Sequence, residues 1–127
     1  MIVHTIFYVQ DQKKSTEFYR SVLQIQPTLE VPGMTEFNLS ETHILGIMPE
    51  KGIKKLLGET IPDPENAHGI PRAEIYFRVP NPPEYMIRAK ELGAQLVSPL
   101  LPRDWGHTAV YLLDPDGHVI VFATESV

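Results

Sequence analysis

A shift of seventy residues lays one half of this sequence on the other. Phe7 falls on Phe77, Val9 on Val79, Asp11 on Asn81, Tyr19 on Ala89 and Val22 on Leu92, matches of type at matching points. A weak repeat of this kind marks one supersecondary unit used twice, and it restricts the available folds more than any composition figure. At 127 residues the chain has the length of one ordinary domain. The expected organisation is therefore a single domain over residues 1–127, with module 1 at about 1–50, an irregular connection at about 50–71 and module 2 at about 72–127.

In the first module, Ile2–Val9 is a β-branched and aromatic run of strand length, and Asp11 behind it is placed to cap a helix. In QKKSTEFYRSVLQ, Phe18, Tyr19, Val22 and Leu23 form one apolar stripe, which predicts a helix that Pro27 ends. Thr28–Val31, a Pro32-Gly33 turn, Thr35–Leu39, the polar break SETH and Ile44–Met48 follow as three strands with their turns. Between Pro49 and Pro71, the residues Gly52, Gly58, Pro62, Pro64 and Gly69 argue against continuous regular structure, with room for one helical turn at Ile53–Leu57. The second module repeats the order. Ala73–Val79 reads as a strand, Asn81 as a cap, Pro82-Pro83 as a first helical turn, Glu84–Leu92 as a helix and Gly93 as its left-handed stop. Gln95–Val97, Thr108–Leu113 and Val119–Ala123 read as strands, the last two joined by an Asp114-Pro115-Asp116-Gly117 turn.

Each module so built carries a helix on one face of a small sheet and leaves the other face bare. The expected fold class is α+β: two βαβββ modules forming a curved mixed β-sheet cup, with the helices on its outer face. Concave space of that kind suits a small ligand, unless an opposing sheet or subunit fills it.

Composition narrows the functions open to such a cup. Cys is absent, which excludes disulfides, thiolate metal sites and cysteine nucleophiles and fits a reducing compartment. The formal charge is −5 with no basic run, so neither nucleic acid nor an anionic membrane is an expected partner. His4 and Asp11 break any early apolar run, and no stretch approaches the ~18 apolar residues of a membrane span. A soluble, cytoplasmic protein is the expectation. No GxGxxG, P-loop, GxSxG or HExxH run supports nucleotide, phosphoryl, serine-hydrolase or zincin chemistry.

Strand alternation sorts the candidate residues. Glu74, Tyr76 and Arg78 share the bare face, while Ile75, Phe77 and Val79 belong to the helix. His4, Ile6 and Tyr8 share a face, and apolar Val110 and Leu112 leave His107, Ala109 and Tyr111 to the cup. Tyr8, Phe37, Tyr76 and Tyr111 are candidates for an aromatic pocket, although aromatics facing a sheet are more often core. Trp105 and Arg103 lie in a loop before a strand, where an indole could stack and a guanidinium could hold an anion. A gap-filling Trp and a surface or ion-paired Arg are the plainer alternatives. Glu74 needs Arg, His, a metal or open water, and a salt bridge to Arg72 or Arg78 would satisfy it. His4 is either a ligand or a strand histidine bonded to a neighbour, and His43, His68 and His118 fall in loops or turns with no assigned role.

The segments His4-Thr5-Ile6-Phe7-Tyr8-Val9-Gln10-Asp11 into Ser15-Thr16-Glu17-Phe18-Tyr19 and Val22-Leu23, then Arg88–Ala94, then Tyr111–His118, together resemble the vicinal oxygen chelate superfamily. This is the glyoxalase, bleomycin-resistance and extradiol dioxygenase superfamily, and the likeness covers nearly the whole chain. The resemblance implies paired βαβββ modules, a homodimer and a divalent metal ion held by up to four side chains, in lyases, epimerases, dioxygenases and antibiotic-sequestering proteins alike. The positions that correspond to the family's metal ligands read His4, Gly46, Glu74 and Val121, of which only His4 and Glu74 carry donors. A two-ligand site binds metal weakly. The expected function is binding of a small organic molecule in the cup, with an incomplete metal site. The alternative is a metal-dependent lyase, isomerase or dioxygenase-like enzyme that uses His4 and Glu74, with Glu74 as the catalytic group.

Overall fold

The computed structural model describes all of residues 1–127, and the chain divides into two compact units, Met1–His68 and Gly69–Val127. In the first unit, β1 (Val3–Val9), helix α1 (Gln12–Leu23), β2 (Leu29–Val31), β3 (Met34–Asn38) and β4 (His43–Pro49) build a four-stranded sheet of order β1-β4-β3-β2. The strands β1 and β4 run parallel because α1 carries the chain back across one face, and β2, β3 and β4 are antiparallel neighbours. Asp11 caps α1 as its position suggests, accepting the Lys14 N–H at 3.0 Å. The helix ends before Pro27, because Gln24 turns left-handed and its amide donates to the Ser21 carbonyl at 2.6 Å.

Thr16 ties α1 to the sheet, donating its hydroxyl to Thr35 at 2.8 Å beneath the helix. Phe18, Tyr19, Val22 and Leu23 of the helix are buried, together with Phe37, Leu45 and Ile47 of the sheet. The face alternation predicted for β1 holds: Phe7 and Val9 are buried, whereas Ile6 and Tyr8 stay substantially exposed on the opposite face.

The second unit repeats the plan with β5 (Glu74–Arg78), α3 (Pro82–Glu91), β6 (Gln95–Pro102), β7 (His107–Leu113) and β8 (Val119–Glu125), in the sheet order β5-β8-β7-β6. The strands β5 and β8 are parallel and the rest antiparallel. Phe122 sits between Phe77 and Tyr85 of α3, with ring centroids 5.3 and 5.0 Å away, so α3 covers the face that carries Ile75, Phe77, Ile120 and Phe122. Both sheets are open, each with two edge strands, and no helix is long and apolar enough to cross a membrane.

Three elements differ from expectation. The segment read as irregular contains α2 (Glu50–Leu57), two full turns rather than one, followed by short 3-10 turns at Gly58–Thr60 and Pro64–Ala67. Gly52 lies in the first turn of α2, while Ile53 is buried and Lys54 ties the far end by donating to the Gly58 and Ile61 carbonyls. His43 belongs to a strand instead of a turn and its Nε2 lies 2.7 Å from the Thr5 hydroxyl. The strand β6 runs five residues past Val97, because Pro99 falls where the ladder shifts register between Ser98 and Leu101, while Pro102 ends the strand level with Thr108.

The β7–β8 turn is knitted by Asp114, whose Oδ1 accepts the N–H groups of Asp116 and His118, each at 2.9 Å. Gly117 closes the turn at φ +87°, and a Cβ there would stand 2.8 Å from the Gly69 Cα. Gly117→Ala is expected to destabilise the chain by about 2 kcal/mol through left-handed strain and this clash, seen as a lower urea midpoint with an unchanged m value.

Candidate functional site

The residues that distinguish this chain lie on the sheet faces that the helices leave open. On the first sheet, Ile6, Gly46 and Glu36 are level across β1, β4 and β3, with His4 and Asn38 flanking Ile44 in the next row. Here His4 Nδ1 lies 3.5 Å from Glu36 Oε2, an ion pair when the imidazole is protonated. Glu36 was not among the candidates, yet its alternation with buried Thr35 and Phe37 puts it on the open face. Tyr8 is also on this face. Phe37 is not: it is fully buried, level with Leu45 and on the side that α1 covers, so it is core and no pocket residue. Strand parity sets it on the α1 side with Leu45, opposite Glu36.

On the second sheet the open face is paved by small side chains. Ala109, Val121 and Ala123 are buried, and Tyr76, Tyr111 and Val119 pack against them. The register sets Tyr76, Val121 and Tyr111 in one row and Arg78, Ala123 and Ala109 in the next. The short alanines leave room for the Tyr76 ring to reach beyond its own row to His107. Its hydroxyl lies 2.7 Å from His107 Nδ1, with ring centroids 5.7 Å apart. Trp105 donates its indole N–H to the same hydroxyl at 3.0 Å.

The β6–β7 turn fixes these groups. Arg103 N–H donates to the His107 carbonyl at 2.7 Å, Gly106 N–H to the Arg103 carbonyl at 3.2 Å, and Gly106 takes φ +89°. The Arg103 guanidinium serves the same turn. Its Nε and Nη2 donate to the Ala109 carbonyl at 3.2 and 2.8 Å, Nη2 also reaches the Pro99 carbonyl and the Ser98 hydroxyl, and Cζ stands 5.1 Å over the Tyr111 ring. These bonds engage Nε and Nη2, and through them Arg103 clamps the irregular β6 to β7.

Glu74 stands on the open face beside Tyr111, and the salt bridge that would have explained it is not formed. Arg78 pairs instead with Glu125, at 2.8 Å. Burial, then the charge of Glu74 and the neighbouring Tyr76, push the Tyr111 phenol above its usual range, and Arg103 opposes them. Of the other histidines, His68 Nδ1 lies 3.0 Å from buried Glu50, and the His118 backbone N–H donates to Asp114.

The family's metal does not fit these residues. A side chain at position 46 would meet Ile6 Cγ1 at 2.9 Å and Met34 Sδ at 3.4 Å, so apolar groups hold the space of a ligand there. Val121 is sealed in the apolar Ala109–Ala123 cluster. No group of three or more His, Asp or Glu side chains gathers where it could hold a metal ion.

Two open-faced βαβββ sheets of this kind define a glyoxalase-type protein, and comparison with known families bears this out. The chain belongs to the Glyoxalase/Bleomycin resistance protein/Dioxygenase superfamily, whose model matches residues 1–122. Among solved structures it is similar to a glyoxalase-related enzyme from Fulvimarina pelagi, at 19% identity and a TM-score of 0.82 over 98% of this chain and 88% of that one. A glyoxalase/bleomycin resistance protein/dioxygenase family enzyme from Burkholderia phytofirmans PsJN superposes at 0.78 with 16% identity, covering 97% of each chain. A glyoxalase / bleomycin resistance protein from Catenulispora acidiphila superposes at 0.68 with 22% identity, covering 99% of each. At these identities the likeness is one of fold. No curated protein matches the chain.

The raised Tyr111 phenol has a consequence at alkaline pH. Folding favours its neutral form, so above about pH 10 the unfolded chain loses this proton first. Stability is therefore expected to fall as pH rises from about 10 through the folded value, and Tyr111→Phe should remove that part of the slope in denaturation curves taken across the window.

Proposed function

We propose that this protein binds a small, partly aromatic organic molecule on the open face of its second sheet, with no metal as part of the site. The observation that carries this reading is Trp105. Its side chain is 56% exposed, yet its indole N–H is bonded to Tyr76, so a large ring is held in water at a set angle. A Trp that merely filled a gap would be buried. Stacking on an oriented ring gains contact area at little entropic cost, and Tyr76, Tyr111 and the small side chains beneath them supply an apolar floor. Membership of a superfamily that includes bleomycin resistance proteins is consistent with it.

One observation favours a second reading, a lyase or isomerase in which Glu74 moves a proton. Its carboxylate has no ion pair, since Arg78 is taken by Glu125. Such chemistry would proceed at the carboxylate itself, because the positions that would complete a metal site are apolar. A small ligand or substrate suits either reading; a homodimer is proposed from the family resemblance, and a cytoplasmic location from the cysteine-free sequence without an apolar targeting run.

Calorimetric screening of aromatic acids, ketones and amines tests the binding reading. A binder is expected whose affinity falls roughly tenfold in Trp105→Ala, the loss of about 1–1.5 kcal/mol of stacking. A binder indifferent to Trp105→Ala, or none in a broad set, refutes it. Titration of Mn and Zn into the wild type, His4→Ala and Glu74→Ala is expected to give weak uptake that neither substitution abolishes. Stoichiometric micromolar binding lost in both variants would instead establish a metal site.

A further inference from the structure

We propose that His107 is the polar contact of this open face, and that Trp105 and Tyr76 act as a relay that fixes which of its nitrogens carries the proton. The inference rests on the binding reading and deepens it by naming the recognised group: an acceptor oxygen on an aromatic ligand, such as a carboxylate or carbonyl.

An indole nitrogen can only donate, so the Trp105 bond at 3.0 Å takes a lone pair of the Tyr76 oxygen. The Tyr76 oxygen has one proton of its own, and the strong acceptor within reach is His107 Nδ1, 2.7 Å away. With Nδ1 accepting, a neutral imidazole carries its proton on Nε2. The chain Trp105 to Tyr76 to His107 then runs in one direction, and each bond polarises the next.

Nε2 is the end of this chain, and it makes no hydrogen bond within the protein. The residue beside His107 in the register, Glu125, is held by Arg78. His107 is half-buried, its Nδ1 is satisfied, and the turn behind it is fixed by the Arg103 N–H bond to its carbonyl. The imidazole therefore presents a donor of defined direction on the face where Trp105 stands exposed. A molecule that stacks on the indole and carries an acceptor oxygen satisfies both groups. A cationic aromatic amine would stack equally well but leave the Nε2 proton without an acceptor.

The experiment has two arms. In the free wild-type protein, long-range proton–nitrogen NMR correlations report the tautomer of His107, identified by its absence in His107→Leu. The proton is expected on Nε2, and a mixture of tautomers is expected in Tyr76→Phe. In the second arm, 2-naphthoate and 2-naphthylmethylammonium are titrated calorimetrically into the wild type, His107→Leu and His107→Gln. Removing one hydrogen bond to a charged oxygen should weaken naphthoate about tenfold in His107→Leu, with partial recovery in His107→Gln, whose amide can still donate. The ammonium should change by less than about twofold.

A proton found on Nδ1 in the wild type overturns the proposal while leaving the binding reading intact. Equal losses for both probes in His107→Leu do the same, because they mark a merely structural histidine. Failure of both probes to bind the wild type overturns the proposal, and together with an empty broad screen it overturns the aromatic-ligand reading as well.

Discussion

In each unit the last strand lies between two partners, parallel to the first strand on one side and antiparallel to the third on the other. Everything else follows from that placement. A strand hydrogen-bonded along both edges and covered by a helix on one face can accept only apolar groups toward the helix, and β8 goes further. Ile120, Val121, Phe122 and Ala123 are all buried, so the two faces of this strand are dry over four successive residues. A charged ligand for a metal at position 121 would enter a cluster of alanines and tyrosines with no counter-charge in the row. In β4 the corresponding residue is Gly46, and Ile6 and Met34 have closed over it. The two strands lack a donor for different reasons, an apolar side chain at Val121 and no side chain at Gly46.

The second consequence is that chemistry moves from the middle of the sheet to its rim. The open face of the second sheet is apolar along the Tyr76–Val121–Tyr111 row, whereas its polar groups stand at the ends, Glu74 at one and His107 with Trp105 at the other. Small side chains at Ala109 and Ala123 are what permit Tyr76 to connect with the far end. The alanines thus act on the site although neither carries a functional group, and a larger residue at either would lift the tyrosine off the floor.

Much of this architecture was legible in the sequence, and the reason is periodicity. A two-residue alternation separates Glu74, Tyr76 and Arg78 from Ile75 and Phe77 without knowledge of the partners, and an offset repeat reveals the plan of the second unit from the first. What stayed hidden depends on partners. The role of Arg103 turns on carbonyls exposed by a bulge in β6, which no local pattern announces. Glu36 becomes a neighbour of His4 only through the register of two strands that flank a third. Phe37 is the reverse case: an aromatic residue type suits a pocket, but strand parity buries it beside Leu45 under α1. The helix α2 was obscured by glycines and prolines that lie at its ends or beyond them, while a single buried isoleucine and a lysine clamp hold it.

The strand β6 is the long exposed edge of its sheet, and Leu96, Val97 and Leu101 on it face solvent. Such an edge would ordinarily recruit a strand from a neighbouring molecule and seed aggregation. Two of its eight residues, Pro99 and Pro102, lack an N–H, and the register shifts around Pro99 break the remaining ladder into short pieces. Pro99, at the irregularity whose Ser98 and Pro99 oxygens Arg103 binds, thus also leaves the outer edge of the sheet with fewer donors for a foreign strand.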